Sequence, residues 1–263
     1  MIKIKSKKDI EKMAKGGLIT AKAREEVLKA AVPGVKTADL EELAVNRIKE
    51  LGGEPGFMKV PGYDCATCIN LNAGLVHGVP SENVTVEEGD VFTVDLGTFY
   101  KGFHTDAAWS IVVGNRRTAF RGLQEKEHKE KKRFLEVGEE ALERATEQCV
   151  PGNFVGDISH AIQETVEGAG YNVIRALVGH GVGEELHEGP QIPCFGKPGE
   201  GSMLEEGLVL AVEILYAEGG PAIETLDDGW TIKTKDNSLS ALFENTIAVT
   251  EGGSRVLTPN PKF

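Results

Sequence analysis

The sequence predicts an α+β fold: two pseudo-symmetric helix-helix-hairpin units sharing one sheet, with the helices outside it. Two observations carry the prediction. VPGVKTADLEELAVNRIKELGG, from Val32, aligns without gaps with VPGNFVGDISHAIQETVEGAG, from Val150, and apolar residues recur at helical spacing in both copies. Carried into the strands, the same offset sets EGDVFTVDLG, from Glu88, on EGLVLAVEIL, from Glu206, so that Asp95 corresponds to Glu213.

In chain order, Ile10, Met13, Ala14, Gly17 and Ala21 form the stripe of a first helix, and the basic stretch KIKSKKDIEKMAK is expected on a solvated helix face. Leu40, Leu43, Ala44, Ile48 and Leu51 mark a second helix, opened by a Val-Pro-Gly turn and closed near a glycine. VDLGTFYKGFHTDAAW, Val94 to Trp109, reads as two strands around a turn at Tyr100-Lys101-Gly102, a register that sets Asp95 directly opposite Asp106. The run from about Leu123 to Cys149 reads as a third helix with QEKEHKEKKR as a water-facing surface, and Ile158, Ala161, Ile162, Val166 and Ala169 mark a fourth. LFENTIAVTEGG gives the second half its second acidic strand, with Glu244. The halves, about 1–115 and 120–263, meet near Gly114 to Gly122 inside one expected domain spanning 1–263. RRTAFRGLQEKEHKEKKRF, 116–134, is expected to lengthen the third helix or the loop leading into it.

With 263 residues, 40% of them hydrophobic, the chain can bury one large core. Its 29 Lys and Arg against 41 Asp and Glu give a net charge of −12, which argues against general binding to nucleic acid or to an anionic membrane surface. No apolar run reaches the roughly 18–20 residues of a membrane span and no signal-peptide core opens the sequence, so a cytoplasmic location is expected. Cys65, Cys68, Cys149 and Cys194 are then expected as thiols. Without a second CxxC, Cys65-Ala-Thr-Cys68 reads as structural or pocket-lining rather than metal-binding.

Like charges opposite one another in a sheet repel. For Asp95 and Asp106 three resolutions stand open: a water-screened face, one shared proton, or a bound cation that uses both as ligands. Four strand acids converging on a pseudo-twofold axis favour the cation. Carboxylate and imidazole donors suit Mn, Fe(II), Co or Zn. LVGHGVG supplies the imidazole as His180, with Gly179, Gly181 and Gly183 allowing close approach. His77 in LVHGVP and His187 in LHEGP stand in similar Gly/Pro-flanked loops.

The ordered series LVHGVP, VDLG, HTDAAW, GHGVG, LHEGP, a strand Glu and DGWTIKTKDNSLSALFENT closely resembles the type I, bacterial-type methionine aminopeptidases of the pita-bread metallopeptidase family, from Ile4 to about Gly253. The resemblance implies a pita-bread fold, in which pseudo-twofold helix-helix-hairpin units surround a mostly antiparallel curved sheet. It implies two divalent ions per chain on Asp95, Asp106, His180, Glu213 and Glu244, with Asp106 and Glu244 bridging. His187 would then donate to the tetrahedral oxyanion, His77 would hydrogen-bond the scissile amide nitrogen, and Glu213 would carry a proton from water to the leaving amine. The substrate's free α-amine would sit on the Asp95 side. The family's methionine pocket maps onto Phe57, Val60, Tyr63, Cys68, Leu186 and Trp230, together with His77 and His187. Val60 and Leu186 replace the usual aromatics, and Ile214-Leu215 stands where Pro-Met usually follows the strand Glu.

The implied activity is removal of N-terminal methionine from peptides or nascent proteins when the second residue is small. The alternatives are a same-fold aminopeptidase of another specificity, such as Xaa-Pro, and a non-catalytic peptide or protein binder. Implied partners are N-terminal segments of newly made proteins, with ribosome proximity, no specific nucleic acid, no membrane and a monomeric chain.

Overall fold

The repeat folds as two copies of one unit in the computed structural model, which describes residues 2–114 and 123–262. The first copy holds α1 (Lys7–Ala30) and α2 (Thr37–Glu50), the second α3 (Leu123–Glu147) and α4 (Val155–Gly168). α2 and α4 start and stop at equivalent positions, and each buries the same stripe: Leu40, Ala44 and Ile48 in one, Ile158, Ile162 and Val166 in the other. Exposed (i, i+4) pairs such as Lys126–Glu130 and Lys129–Glu125 form the expected water-facing surface of α3. Of the charged 116–134 segment and the boundary between the halves, residues 115–122 lie outside the described residues.

The start of the chain departs from expectation. The Ser6 hydroxyl oxygen accepts from the Asp9 N–H at 3.2 Å and caps α1. Lys3 and Lys5 therefore precede the helix instead of lying on its solvated face, and Lys5 is buried.

Strands β1 (Glu54–Pro55), β2 (Thr67–Leu71), β3 (Gly74–Val76), β4 (Val91–Tyr100) and β5 (Phe103–Val112) follow α2. After α4 come β6 (Asn172–Val173), β7 (Val178–Gly181), β8 (Glu188–Pro193), β9 (Val209–Ala217), β10 (Ile223–Thr225), β11 (Ile232–Thr234), β12 (Ser240–Thr250) and β13 (Gly253–Val256). All pairings between these strands are antiparallel.

β4 turns into β5 through Lys101 and Gly102, whose φ values of 50° and 90° are those a two-residue type I′ hairpin requires. Tyr100 therefore pairs with Phe103, Asp95 with Ala108 and Asp106 with Gly97. This corrects the expected direct opposition of Asp95 and Asp106, which are staggered instead. A shift of two residues preserves the face, so both acids still point the same way. In the second hairpin the acids are directly opposite, Glu213 against Glu244.

The expected shared sheet is built from separate ladders. β1, β2, β4 and β5 form one four-stranded sheet, β6 to β9 with β12 and β13 a six-stranded one, and β3, β10 and β11 a small third. The two large ladders meet where β5 faces β12, and hydroxyl groups bridge the seam. The Thr246 hydroxyl donates to Asp106 O at 2.7 Å and accepts from Asp106 N–H at 2.8 Å. The Ser110 hydroxyl does the same for Leu242 O and N–H, at 2.9 and 3.2 Å. A hydroxyl can donate and accept at once, so each satisfies backbone groups of a strand that the ladder leaves unpaired. Helices cover the outer side over a continuous apolar core that includes Phe92, Leu142, Tyr216 and Phe243. Among the described residues no helix is long and apolar enough to cross a membrane.

Candidate active site

The seam brings the four strand acids to one place. Asp95 and Asp106 come from the first ladder and Glu213 and Glu244 from the second, and Asp95, Asp106 and Glu244 are buried with Glu213 close to it. His180 reaches them from β7. Its Nε2 lies 3.7 Å from Glu213 Oε1 and 4.0 Å from Asp106 Oδ2. A register irregularity between His180 and Gly181 re-aims the strand there. The flanking glycines are needed for close approach: a Cβ on Gly179 would stand 2.6 Å from Ala211 O and one on Gly181 2.1 Å from Gly189 O.

His180 is also held in one tautomer. Its Nδ1 lies 2.9 Å from Gly181 O, and a carbonyl only accepts, so Nδ1 carries the proton and the Nε2 lone pair faces the acids. Burial, then the neighbouring His187, pushes its pKa down to about 4, so the ring is neutral near pH 7.

The acids move the opposite way. Burial, then Asp106 and Glu213, raises Asp95 well above the carboxylate range. Asp106 rises to about 7 through burial, with its hydrogen bond to Asp95 working against the shift. Burial and the Asp106 charge raise Glu213, and burial with all three other acids raises Glu244. Asp95 Oδ1, Asp106 Oδ1 and Glu244 Oε1 are buried without a hydrogen-bond partner. Ligand atoms of Asp106, His180 and Glu244 all lie within 4.8 Å of one another. Buried, unpartnered acceptor oxygens beside an aimed imidazole lone pair suit a divalent cation, which satisfies the oxygens and removes the repulsion together.

The six candidate pocket residues come together as well. Phe57, Tyr63, Cys68 and Leu186 form one buried cluster, with Val60 and Trp230 packed on it. Tyr63 and Trp230 meet edge to face at 5.0 Å. Cys68 pairs with Asp95 across the β2–β4 ladder, so the apolar pocket adjoins the acids. The same ladder answers the CxxC motif. Cys65 joins the apolar cluster, and both cysteines are free thiols.

Of the other two histidines, His187 stands beside His180 and His77 close to His187. The rings of His187 and His180 are 4.4 Å apart, edge to face. His77 takes a left-handed φ of 57°, a strained backbone of the kind that collects at functional sites. His77 and His187 are both solvent-exposed, and the partial desolvation of their rings lowers the pKa of each, with His187 adding to the effect on His77.

Two features went unread in the sequence. Arg24 is fully buried behind the acids, where it donates to the carbonyls of Ala108, Glu244 and Pro259 and stacks on Trp109. It continues the stripe of Met13, Gly17 and Ala21, and an arginine on an apolar stripe was the available signal. The second is the buried pair of Lys5 and Glu188 at 2.6 Å.

The model of metallopeptidase family M24 matches residues 11–251. The chain belongs to metallopeptidase family M24. Methionine aminopeptidase of Clostridium acetobutylicum is 39% identical over 98% of this chain and 99% of its own length. Methionine aminopeptidase 1 of Bacillus subtilis is likewise 39% identical, over 98% and 99%. The crystal structure of methionine aminopeptidase from Thermotoga maritima superimposes with a TM-score of 0.91 at 44% identity, covering 99% of this chain and all of that one. Prolidase from Pyrococcus furiosus shares the M24 pita-bread architecture at a TM-score of 0.74 and 26% identity, with 98% of this chain spanning 66% of that one.

Proposed function

We propose that the chain is a methionine aminopeptidase, a metal-dependent hydrolase that releases N-terminal methionine from peptides and nascent proteins whose second residue is small. The observation that carries the reading is a cluster of four acids and a fixed-tautomer histidine, with unpartnered buried oxygens, directly beside an apolar cluster of Phe57, Tyr63, Cys68 and Leu186. Asp95, Asp106, His180, Glu213 and Glu244 would hold two divalent ions, drawn from Mn, Fe(II), Co or Zn. When bound, the ions supply Lewis-acid activation of water and of the scissile carbonyl.

The side chains do the rest. Phe57, Val60, Tyr63, Cys68, Leu186 and Trp230 receive the methionine side chain, and the flexible thioether suits this mixed aliphatic and aromatic wall. The Asp95 side receives the α-amine, which limits cleavage to the first bond. Glu213 moves a proton from water to the leaving amine. His187 donates to the developing oxyanion, and His77 hydrogen-bonds the scissile amide nitrogen. The closely packed histidines leave room only for a small second residue. The same reading makes 1–263 one catalytic domain, cytoplasmic and monomeric, working on new chains near the ribosome.

Methionine release from Met-Ala-Ser by chelator-stripped protein, repeated after anaerobic addition of each metal, tests the reading. Metal-dependent release with Met-Lys-Ser refused is the expected result. Hydrolysis of Ala-Pro-Ala in preference would move the assignment to a same-fold aminopeptidase of Xaa-Pro specificity.

A further inference from the structure

Lys5 and Glu188 are almost entirely enclosed, with side-chain exposures of 4% and 1%. The Lys5 ammonium donates to Glu188 Oε2 at 2.6 Å and to Lys3 O at 3.0 Å. Glu188 Oε1 accepts from the Glu185 N–H at 3.2 Å, so one carboxylate closes the turn that holds Leu186 and His187 and ties it to the start of the chain. The chain start is anchored in its turn. Lys5 N–H donates to Gly207 O at 2.8 Å, and Ile2 bridges to Gly189. Gly183 completes the fit, since a Cβ there would lie 2.3 Å from Lys5 Cε and 2.7 Å from Glu188 Oε1.

A buried ion pair is a weak source of net stability, and an apolar pair of the same volume could hold the segment as well. An apolar side chain at position 188 could not accept from the Glu185 N–H. The charge on Lys5 fixes the carboxylate in the orientation that does.

We infer that the Ile2–Lys5 segment is a positioning strap for His187, acting through the Lys5–Glu188 pair. Lys5 and Glu188 are positioning residues that touch no reacting atom, and the inference rests on the part assigned to His187 above. They set where the imidazole stands relative to His180, while the metal-binding acids come from other strands.

The test is a double-mutant cycle on the metal-loaded full chain, with methionine release from Met-Ala-Ser and metal content as readouts. Lys5→Met should lower kcat at least tenfold with KM within twofold and metal content unchanged, and Lys5→Arg should restore most of the loss. In a His187→Ala background Lys5→Met should cost less than twofold. Should Lys5→Met fail to fold, the near-isosteric Glu188→Gln, whose single amide oxygen cannot serve both Lys5 and Glu185, carries the same cycle. A full tenfold loss in the His187→Ala background overturns the strap while leaving the assignment of His187 standing. Unchanged kcat in His187→Ala alone overturns that assignment, and the strap with it.

Discussion

Replacing Arg24 by Met keeps most of the buried stem but removes the charge, every donor and the guanidinium that stacks over Trp109. The guanidinium donates to Pro259 O at 2.8 Å and, through longer bonds of 3.2 and 3.4 Å, to Glu244 O and Ala108 O. One short charged bond contributes about 1.5–3 kcal/mol and the two long ones about 1 kcal/mol each, for a loss of about 3–5 kcal/mol. That agrees with the cost of breaking a buried charge network. At about 2–4 °C per kcal/mol for a chain of this size, the midpoint of thermal unfolding should fall about 6–20 °C. At a pH high enough to ionise the acids, the loss should be larger in chelator-stripped than in metal-loaded protein, because Arg24 then faces bare carboxylates in one state and neutralised ones in the other. Arg24→Lys, with one ammonium in place of a fork, cannot span the three carbonyls and should fall between. Denaturant melts of both states measure the effect. A loss under about 1 kcal/mol refutes the hydrogen-bond account, and equal losses in the two states refute the electrostatic one.

Asp106→Asn keeps the volume of the side chain but removes a ligand charge from the centre of the cluster. Bound metal should fall below two ions per chain, and methionine release should drop at least about 100-fold; unchanged metal content and activity would sink the site. The raised pKa values give metal binding a defined pH dependence. Asp106 at about 7 still shares a proton in the neutral range and Asp95 is raised in the same direction, whereas His180 at about 4 has already lost its proton. Cation binding therefore displaces carboxyl protons, and affinity should rise from about pH 6 to about pH 8 with net proton release. Calorimetric titration in two buffers of different protonation enthalpy would show it, and a flat affinity without proton release would contradict the burial of the acids. His104, buried and held down to about 4 chiefly by burial, binds its proton only in the unfolded chain between about pH 6.5 and 4. Stability should fall through that window as pH drops, and His104→Gln should flatten the fall in acid melts.

Local periodicity carries over into structure because it is a local cause. The stripes of α2 and α4 coincide residue for residue with the repeat, since an amphipathic helix has one way to bury its apolar face. The hairpin register was harder. Both Lys101 and Gly102 adopt left-handed backbone, and nothing in the lysine itself announces that. The error left the site legible all the same, because a two-residue slip keeps Asp95 and Asp106 on one face. What the sequence hid depends on contacts between distant segments. Lys5 looked like one of several basic residues beside a helix, and only its approach to Glu188 makes it buried. The hydroxyl-bridged seam of Thr246 and Ser110 is equally nonlocal, and neither residue type distinguishes it from an ordinary strand position.

The two halves are alike in architecture and unlike in what flanks their acids, and that difference gives the site its direction. β2 runs beside β4 as β7 runs beside β9, each an antiparallel neighbour of the strand bearing the first acid of its half. On β2 the residue opposite Asp95 is Cys68, which opens into the apolar cluster. On β7 the corresponding neighbourhood holds His180, whose ring turns to Glu213 and Asp106. A strictly symmetric duplication would place either two pockets or two imidazoles around the four acids. A side chain could then enter from both directions or from neither. Replacing one pocket by a histidine leaves a single apolar approach, on the Asp95 side, and a fixed electron-pair donor on the other. On the proposed function, the broken symmetry sets which end of a substrate meets which acid, before any individual pocket residue selects among side chains.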